Sequence, residues 1–133
     1  MELAYTIEQS IELHTDGRWV DLHNDYDLVS ALCEGSRAYL HFVKRTADWV
    51  KATDPDHLAL VFEQIDYFER SQGTLLPTGI EEIGFKEPED PDLDWLMGQL
   101  EVPEAHILFR LYGDEYIRIG AVKSFLLADW SAS

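Results

Sequence analysis

The stretch His57–Arg70, with the sequence HLALVFEQIDYFER, decides the fold that this chain predicts. Five apolar residues follow one another from Leu58 to Phe62, so a strand formed here has no polar face at its centre. A strand with one solvated face alternates between apolar and polar residues, whereas an unbroken apolar run indicates a strand covered on both faces. We therefore predict a long strand in the middle of a sheet or sandwich.

Turn sequences on both sides of this strand predict hairpins. Asp16-Gly17, within TDGR at 15–18, is a strong signal for a two-residue hairpin loop. Glu34-Gly35-Ser36 separates two strand-like runs, DLVSALC and RAYLHFVKR. Near the C-terminus, Gly113-Asp114-Glu115 separates HILFRLY from YIRIGAV. Consecutive hairpins imply an antiparallel sheet, because short loops can join only antiparallel neighbours.

Two further segments complete the predicted secondary structure. SFLLADW at 124–130 is predicted to add a last strand, and GIEEIGF at 79–85 fits either a strand or one helical turn. Neither a repeat nor a linker divides the sequence, so residues 1–133 are predicted to form a single domain. The predicted class is mainly β (α+β), an antiparallel sheet or sandwich built from hairpins with one short helix.

That helix is predicted near residues 91–100, within EDPDLDWLMGQLE. Counted from Asp90, the acids also match the ligand spacing of an EF-hand loop, but Trp95 occupies the sixth position, where that loop needs glycine. A helix start explains the same residues, because Asp90 is a good N-cap and Pro91 suits the first helical position. Four apolar residues then follow at helical spacing: Leu93, Leu96, Met97 and Leu100. We expect a helix, and neither a metal nor another cofactor.

Composition limits the compartment and the kind of partner. The chain carries 26 acids against 10 bases, a net charge of −16, which disfavours binding to nucleic acid or to anionic membranes and favours a basic protein partner. Cys33 is the only cysteine, so no intrachain disulfide can form. The first residues, MELAYTIEQ, carry acids where a secretory leader needs Lys or Arg. We expect a cytoplasmic protein, either monomeric or homodimeric.

The negative charge is concentrated in one segment. Residues 81–104 hold nine acids against one base, Lys86. An exposed tryptophan beside carboxylates is a common anchor of protein interfaces. The predicted partner-binding residues are therefore Glu81, Glu82, Glu87, Glu89, Asp92, Asp94 and Trp95.

An enzyme is the main alternative to a binding protein. His23 and Asp25, in LHNDYD, could serve as a base and its orienting carboxylate in a small hydrolase. The same residues also fit a turn, because Asn and Asp side chains bond their own backbone. No nucleophile elbow, dinucleotide fingerprint or phosphate-binding loop accompanies them, so no catalytic residue is assigned. A third possibility is a homo-oligomeric assembly module that pairs through an exposed sheet edge or aromatic patch.

The order of these features resembles a known family. LHNDYDLVSAL leads to a hairpin ending in YLHFV, then to LALVFEQIDYF and finally to FRLYGDEYIRIGA. This order is similar to small β-rich bacterial immunity proteins of polymorphic toxin systems, whose F-x-x-V/I-x-x-F pattern is matched by Phe62, Ile65 and Phe68. Members of that family often carry a His-Asp pair before the first long strand, whereas in this chain Asn24 separates His23 from Asp25. The resemblance implies a toxin inhibitor that binds and occludes a toxin domain without catalysis.

Overall fold

The computed structural model describes residues 1–51 and 53–128 of the chain. These residues form strands, turns and extended segments, with no helix that is long and apolar enough to cross a membrane. In chain order the strands are β1 (Glu2–Leu3), β2 (Thr6–Glu8), β3 (Glu12–Thr15), β4 (Arg18–Asp21), β5 (Tyr26–Glu34), β6 (Arg37–Lys44), β7 (His57–Arg70), β8 (Ile80–Lys86), β9 (His106–Leu111) and β10 (Glu115–Ala128). The mainly β, antiparallel class predicted from the hairpins is confirmed.

The main sheet has seven strands, of which six follow the order β5-β6-β7-β10-β9-β8, while β1 pairs with β10. The β7 strand lies between β6 and β10 and pairs with each in antiparallel fashion. Its run from Leu58 to Phe62 is buried throughout, which explains why that stretch lacks alternation. The prediction of a long central strand is therefore confirmed.

Each predicted hairpin forms, and the turn residues explain why. Asp16 and Gly17 both have positive φ, at 49° and 73°, as a two-residue loop with the twist of the flanking strands requires. Gly35 has a φ of 60° in the loop between β5 and β6. Gly113 and Asp114 supply positive φ between β9 and β10. The residues that sequence reasoning selected as turns are those with backbone conformations that Gly and Asp adopt most readily.

The sheet is curled, and a smaller sheet completes the core. Leu28 of β5 exchanges two backbone hydrogen bonds with Thr78, just before β8, at 2.8 and 3.0 Å, so the two outer strands approach each other. The β2, β3 and β4 strands form the second sheet. Its Leu13 and Val20 belong to the same buried cluster as Phe109 of the main sheet. The two sheets therefore share one hydrophobic core.

The prediction of a helix near residues 91–100 was wrong, because this segment is irregular, with bends and a single bridge to β8 at Met97. Asp90 Oδ1 accepts a hydrogen bond from the Asp92 N–H at 2.9 Å, and Asp92 Oδ1 accepts one from Asp94 at 2.8 Å. Side chains that bond the backbone two residues ahead stabilise turns in competition with helix. Met97 then forms a pair of backbone hydrogen bonds with Phe85 of β8, at 2.8 and 2.9 Å. Backbone groups that a helix would pair internally are thus bonded to the sheet or to aspartates.

Two other segments are also settled by the structure. GIEEIGF, which fitted a strand or a helical turn, lies almost entirely in β8. The predicted last strand beginning at Ser124 continues β10 instead of forming a separate strand. Its final residues, 129 and 130, lie outside the described residues.

Candidate protein-binding surface

Part of the predicted acidic segment, residues 81–104, forms a strap across the sheet, while its first six residues belong to β8. We call residues 87–98 the acidic strap. It leaves β8, turns at 88–89 and returns along the edge of β8 as far as the Phe85–Met97 pair. A Cβ atom added at Gly84 would lie 2.5 Å from Leu96 Cβ, so the strap approaches β8 more closely than a side chain at this position would permit. Glycine at position 84 is therefore part of what seats the strap.

The single base in this region, Lys86, is turned inward beneath the strap. Its side chain is fully buried and donates to the Trp95 carbonyl oxygen at 2.8 Å. The same ammonium group lies 3.1 Å from Asp90 Oδ2 and 3.9 Å from the centroid of the Trp95 ring. A hydrogen bond from the Asp92 N–H, together with Lys86, lowers the pKa of the Asp90 carboxyl. Lys86 thus fixes both the turn of the strap and its tryptophan.

A second buried base, Arg118 of β10, holds the first turn of the strap. It lies between the core residues Ile117 and Ile119, so strand alternation directs its side chain to the opposite face of the sheet. Its guanidinium donates to the carbonyl oxygens of Glu87, Pro88 and Asp90 at 2.9, 3.2 and 2.7 Å. Its Nε donates to His106 Nδ1 at 2.9 Å. The guanidinium of Arg118 thus donates to three carbonyl oxygens and one ring nitrogen, and all four of these acceptors are uncharged.

The His106 ring is the other half of this buried contact. Burial, and then the neighbouring Arg118 cation, lower its pKa. The Tyr67 ring stacks on it with centroids 4.6 Å apart. A neutral imidazole with a free Nδ1 lone pair is what the Arg118 N–H requires.

A third base, Arg110 of β9, completes the attachment of the strap. It donates to the Leu93 carbonyl oxygen and pairs with Glu82 at 3.0 Å. Of the predicted site residues, Glu82 is thus half-buried and paired within the protein. The remaining predicted residues are exposed: Glu81, Glu87, Glu89, Asp92, Asp94 and Trp95.

The result is a separation of charge by depth. On the side of the strap that faces the sheet, three bases donate hydrogen bonds to its carbonyl oxygens: Lys86, Arg110 and Arg118. On the other side, the carboxylates of the strap face solvent, apart from that of Asp90. Sequence reasoning identified these acids but missed the role of the three bases. Lys86 was visible as the lone base of an acidic segment, whereas Arg110 and Arg118 lie in strands distant in sequence and gave no comparable signal.

A cavity of about 400 Å³ adjoins the middle of the strap. Its apolar wall is formed by Leu93, Leu108, Leu111 and Tyr116, and its carboxylates belong to Glu81, Asp94, Asp114 and Glu115. Arg110, paired with Glu82, also borders it. A long basic side chain suits such a cavity, because its aliphatic stem can contact Leu93 and Tyr116 while its charge meets the acids.

The structure does not bring His23 and Asp25 into a shared pocket. His23 Nδ1 lies 2.7 Å from the Ile80 carbonyl oxygen, so its ring bonds to β8. Asp21 organises the turn, since its Oδ1 accepts from the backbone N–H groups of His23 and Asn24 at 2.9 and 2.8 Å. Asp25 borders a separate depression, where burial and then Asp21 and Asp54 raise its pKa. The arrangement resembles ordinary turn chemistry more than a base and its orienting group.

In the described part of the chain, no group of three or more His, Cys, Asp or Glu side chains is arranged to hold a metal ion. Comparisons with models of protein families, with curated proteins and with solved structures found no match. The resemblance to immunity proteins therefore has only the quoted residues in its support.

Proposed function

We propose that this chain is a non-enzymatic acidic binding protein, an immunity-like inhibitor that occludes a basic partner such as a nuclease toxin. The observation that carries the proposal is the separation of charge at the acidic strap. Lys86 and Arg118 are bonded to its carbonyl oxygens from beneath, so the exposed charged residues of the strap, Glu87, Glu89, Asp92 and Asp94, are all acids. Such a surface accelerates encounter with a cationic groove and opposes encounter with nucleic acid.

Trp95 is the proposed anchor of the interface. Its side chain is 45% exposed, yet Lys86 contacts its ring from below and bonds its carbonyl oxygen. A partly exposed aromatic group that is already held in place loses little conformational freedom when a partner covers it. Tryptophan is also among the residues that contribute most to binding when buried at the centre of an interface.

The adjoining cavity gives the proposal a second contact. An arginine or lysine of the partner would place its stem against Leu93 and Tyr116 and its charge near Asp94. The partner's substrate groove needs such bases to bind phosphates, so covering them would block catalysis. The proposed inhibitor acts by occupying that groove and performs no reaction of its own.

A charge-neutralised strap tests the proposal. The variant Glu87→Gln, Glu89→Gln, Asp94→Asn removes three exposed charges, and Glu2→Gln, Asp16→Asn, Asp48→Asn removes three exposed charges elsewhere. We expect the wild type and the second variant to recover the same basic protein from cell extract at low salt, and the strap variant to lose it. Rising salt should release it, because exposed charges are screened.

The recovered partner must then pass a functional test. We expect the purified complex to lack the nuclease activity of the free partner, and Trp95→Ala to restore it at equal protein concentrations. Equal recovery by both triple variants, or a partner that remains active in the complex, would contradict the proposal.

A further inference from the structure

One edge of the main sheet is open. β5 is an outermost strand, and Leu28 near its start is bonded to Thr78. From Ser30 to Glu34, no described residue pairs with the side of β5 that faces away from β6. Within residues 1–51 and 53–128, nothing pairs with the outer edge of β10 beyond Ser124 either, but that strand is followed by residues outside the described part of the chain.

The register of the β5–β6 hairpin shows which groups point outward. The two-residue loop Gly35-Ser36 closes on the Glu34–Arg37 pair, so Glu34, Leu32 and Ser30 direct their N–H and C=O groups toward β6. The intervening residues, Ala31 and Cys33, direct theirs to the open edge. Leu28 also points outward, because the bulge between Leu28 and Ser30 shifts the alternation, and Thr78 bonds it.

The edge of β5 lacks the features that usually prevent an edge strand from pairing with a strand of another molecule. Natural edge strands usually carry charges or proline that prevent pairing with another chain. The stretch Ser30–Cys33 contains neither, in a chain with a net charge of −16. Leu32 is 50% exposed on this edge. An uncharged, open edge is the part of an acidic molecule that a second copy can approach with least repulsion.

We propose that β5 pairs in antiparallel fashion with β5 of a second copy about a two-fold axis at Leu32. In this register Ala31 lies opposite Cys33 of the second copy, and the outward groups of both strands form four backbone hydrogen bonds. Leu32 meets its own equivalent on the axis. Glu34, the one charged residue from Ser30 to Glu34, lies opposite Ser30 of the second copy, whose hydroxyl can donate to the carboxylate.

Self-complementarity favours a second copy over an unrelated strand. The same five residues supply both sides, with leucine on leucine at the centre and hydroxyl on carboxylate at both ends. An isologous contact of this kind closes as a dimer. The proposal concerns β5 and is independent of the function proposed for the acidic strap.

Disulfide trapping tests the register. Opposed residues that do not exchange hydrogen bonds have Cα atoms about 4.5 Å apart, which is within disulfide range. We expect the variant Leu32→Cys, Cys33→Ser to form a disulfide-linked dimer under mild oxidation. The control Ser30→Cys, Cys33→Ser places its two thiols about 13 Å apart along the strands and should form at least tenfold less. Equal yields, or no dimer from the first variant, would overturn the register.

Solution mass tests the dimer itself. We expect sedimentation equilibrium of the wild type to give twice the 15.3 kDa chain mass as concentration rises. Leu32→Lys places two ammonium groups on the axis and should raise the dissociation constant at least about tenfold, since like charges directly opposite are destabilising. Circular dichroism establishes that this variant remains folded. A wild type that stays monomeric at its highest soluble concentration would overturn the proposal.

Discussion

At the scale of single residues, the bases beneath the strap are the feature that the sequence concealed. Asp90, Pro91 and the apolar spacing after them are sound helix signals, although Asp90 and Asp92 can also bond the backbone two residues ahead, as they do here. The competing structure depends on Arg118, whose guanidinium bonds three strap carbonyl oxygens from a strand distant in the chain. Local propensity is a weak determinant when tertiary partners supply charged hydrogen bonds.

The first prediction concerns Lys86. Lys86→Met should lower the free energy of unfolding by about 2–3 kcal/mol, because the Trp95 carbonyl oxygen loses a buried charged donor. Urea denaturation followed by tryptophan fluorescence measures this change. Lys123→Met is the control, since Lys123 pairs with Glu63 while half-exposed and its loss should cost less than about 1 kcal/mol. Equal losses in the two variants would argue against Lys86 as a fixing point of the strap.

The second prediction concerns His106, whose folded-state pKa is lowered by burial and by Arg118. The unfolded chain then binds the proton more tightly, so protonation favours unfolding. The stability that His106 contributes is complete above its unfolded pKa of about 6.5 and is lost progressively as pH falls below that value.

His106→Asn should make the free energy of unfolding less sensitive to pH between neutrality and the folded-state pKa. An asparagine oxygen can still accept from Arg118 but does not titrate. The difference between wild type and variant is the quantity to measure, because His41 also has a lowered pKa and contributes a slope of the same sign in both proteins. A constant difference across that pH range would contradict the assignment.

At the scale of elements, the strands were predictable and the strap was not. The turn at Asp16-Gly17 and the loop at Gly35 have sequences whose backbone preferences match their observed φ, so each hairpin is specified locally. The apolar run of β7 likewise identified a strand covered on both sides. The aspartates of the strap favour its turns locally, but its position depends on contacts with β8, β9 and β10, which its own sequence does not reveal.

The third prediction tests how the strap is seated. Gly84→Ala should destabilise the protein by about 2 kcal/mol, because the new methyl group would meet Leu96 and the strap would have to move. Gly98→Ala is a matched control within the strap, since nothing lies within 4 Å of a Cβ added there.

Hydrogen exchange locates the effect of this substitution. We expect Gly84→Ala to accelerate exchange of the Phe85 and Met97 amides, whose mutual hydrogen bonds hold the strap to β8. Exchange of the Leu60 amide, in the centre of β7, should change much less. Similar acceleration at all three amides would indicate general loosening of the sheet.

At the scale of the whole molecule, charge is the dominant property. A net charge of −16 on one chain produces self-repulsion that opposes compact folding. The bases beneath the strap reduce this repulsion locally, but they are too few to offset the excess of acids. The overall acidity was evident from composition, whereas the arrangement of bases below and acids above required the fold.

The fourth prediction follows from this excess. Raising sodium chloride from about 0.01 to 0.1 M, which shortens the Debye length from about 30 to 10 Å, should increase the free energy of unfolding. The triple strap variant described above should show a smaller increase, because it carries three fewer negative charges. Chemical denaturation by urea, which is uncharged, is the suitable measurement. A decrease in stability with salt would mean that attractive ion pairs outweigh repulsion.

The pairing of β7 with β10 has a consequence for synthesis on the ribosome. One side of β7 is completed by residues 117–128, which are made last among the described strands. Until they emerge, the run from Leu58 to Phe62 lacks that neighbour and exposes an apolar strand edge in the nascent chain. The main sheet therefore closes only after residues 117–128 have been made, and until then this run is a target for molecular chaperones that shield apolar segments.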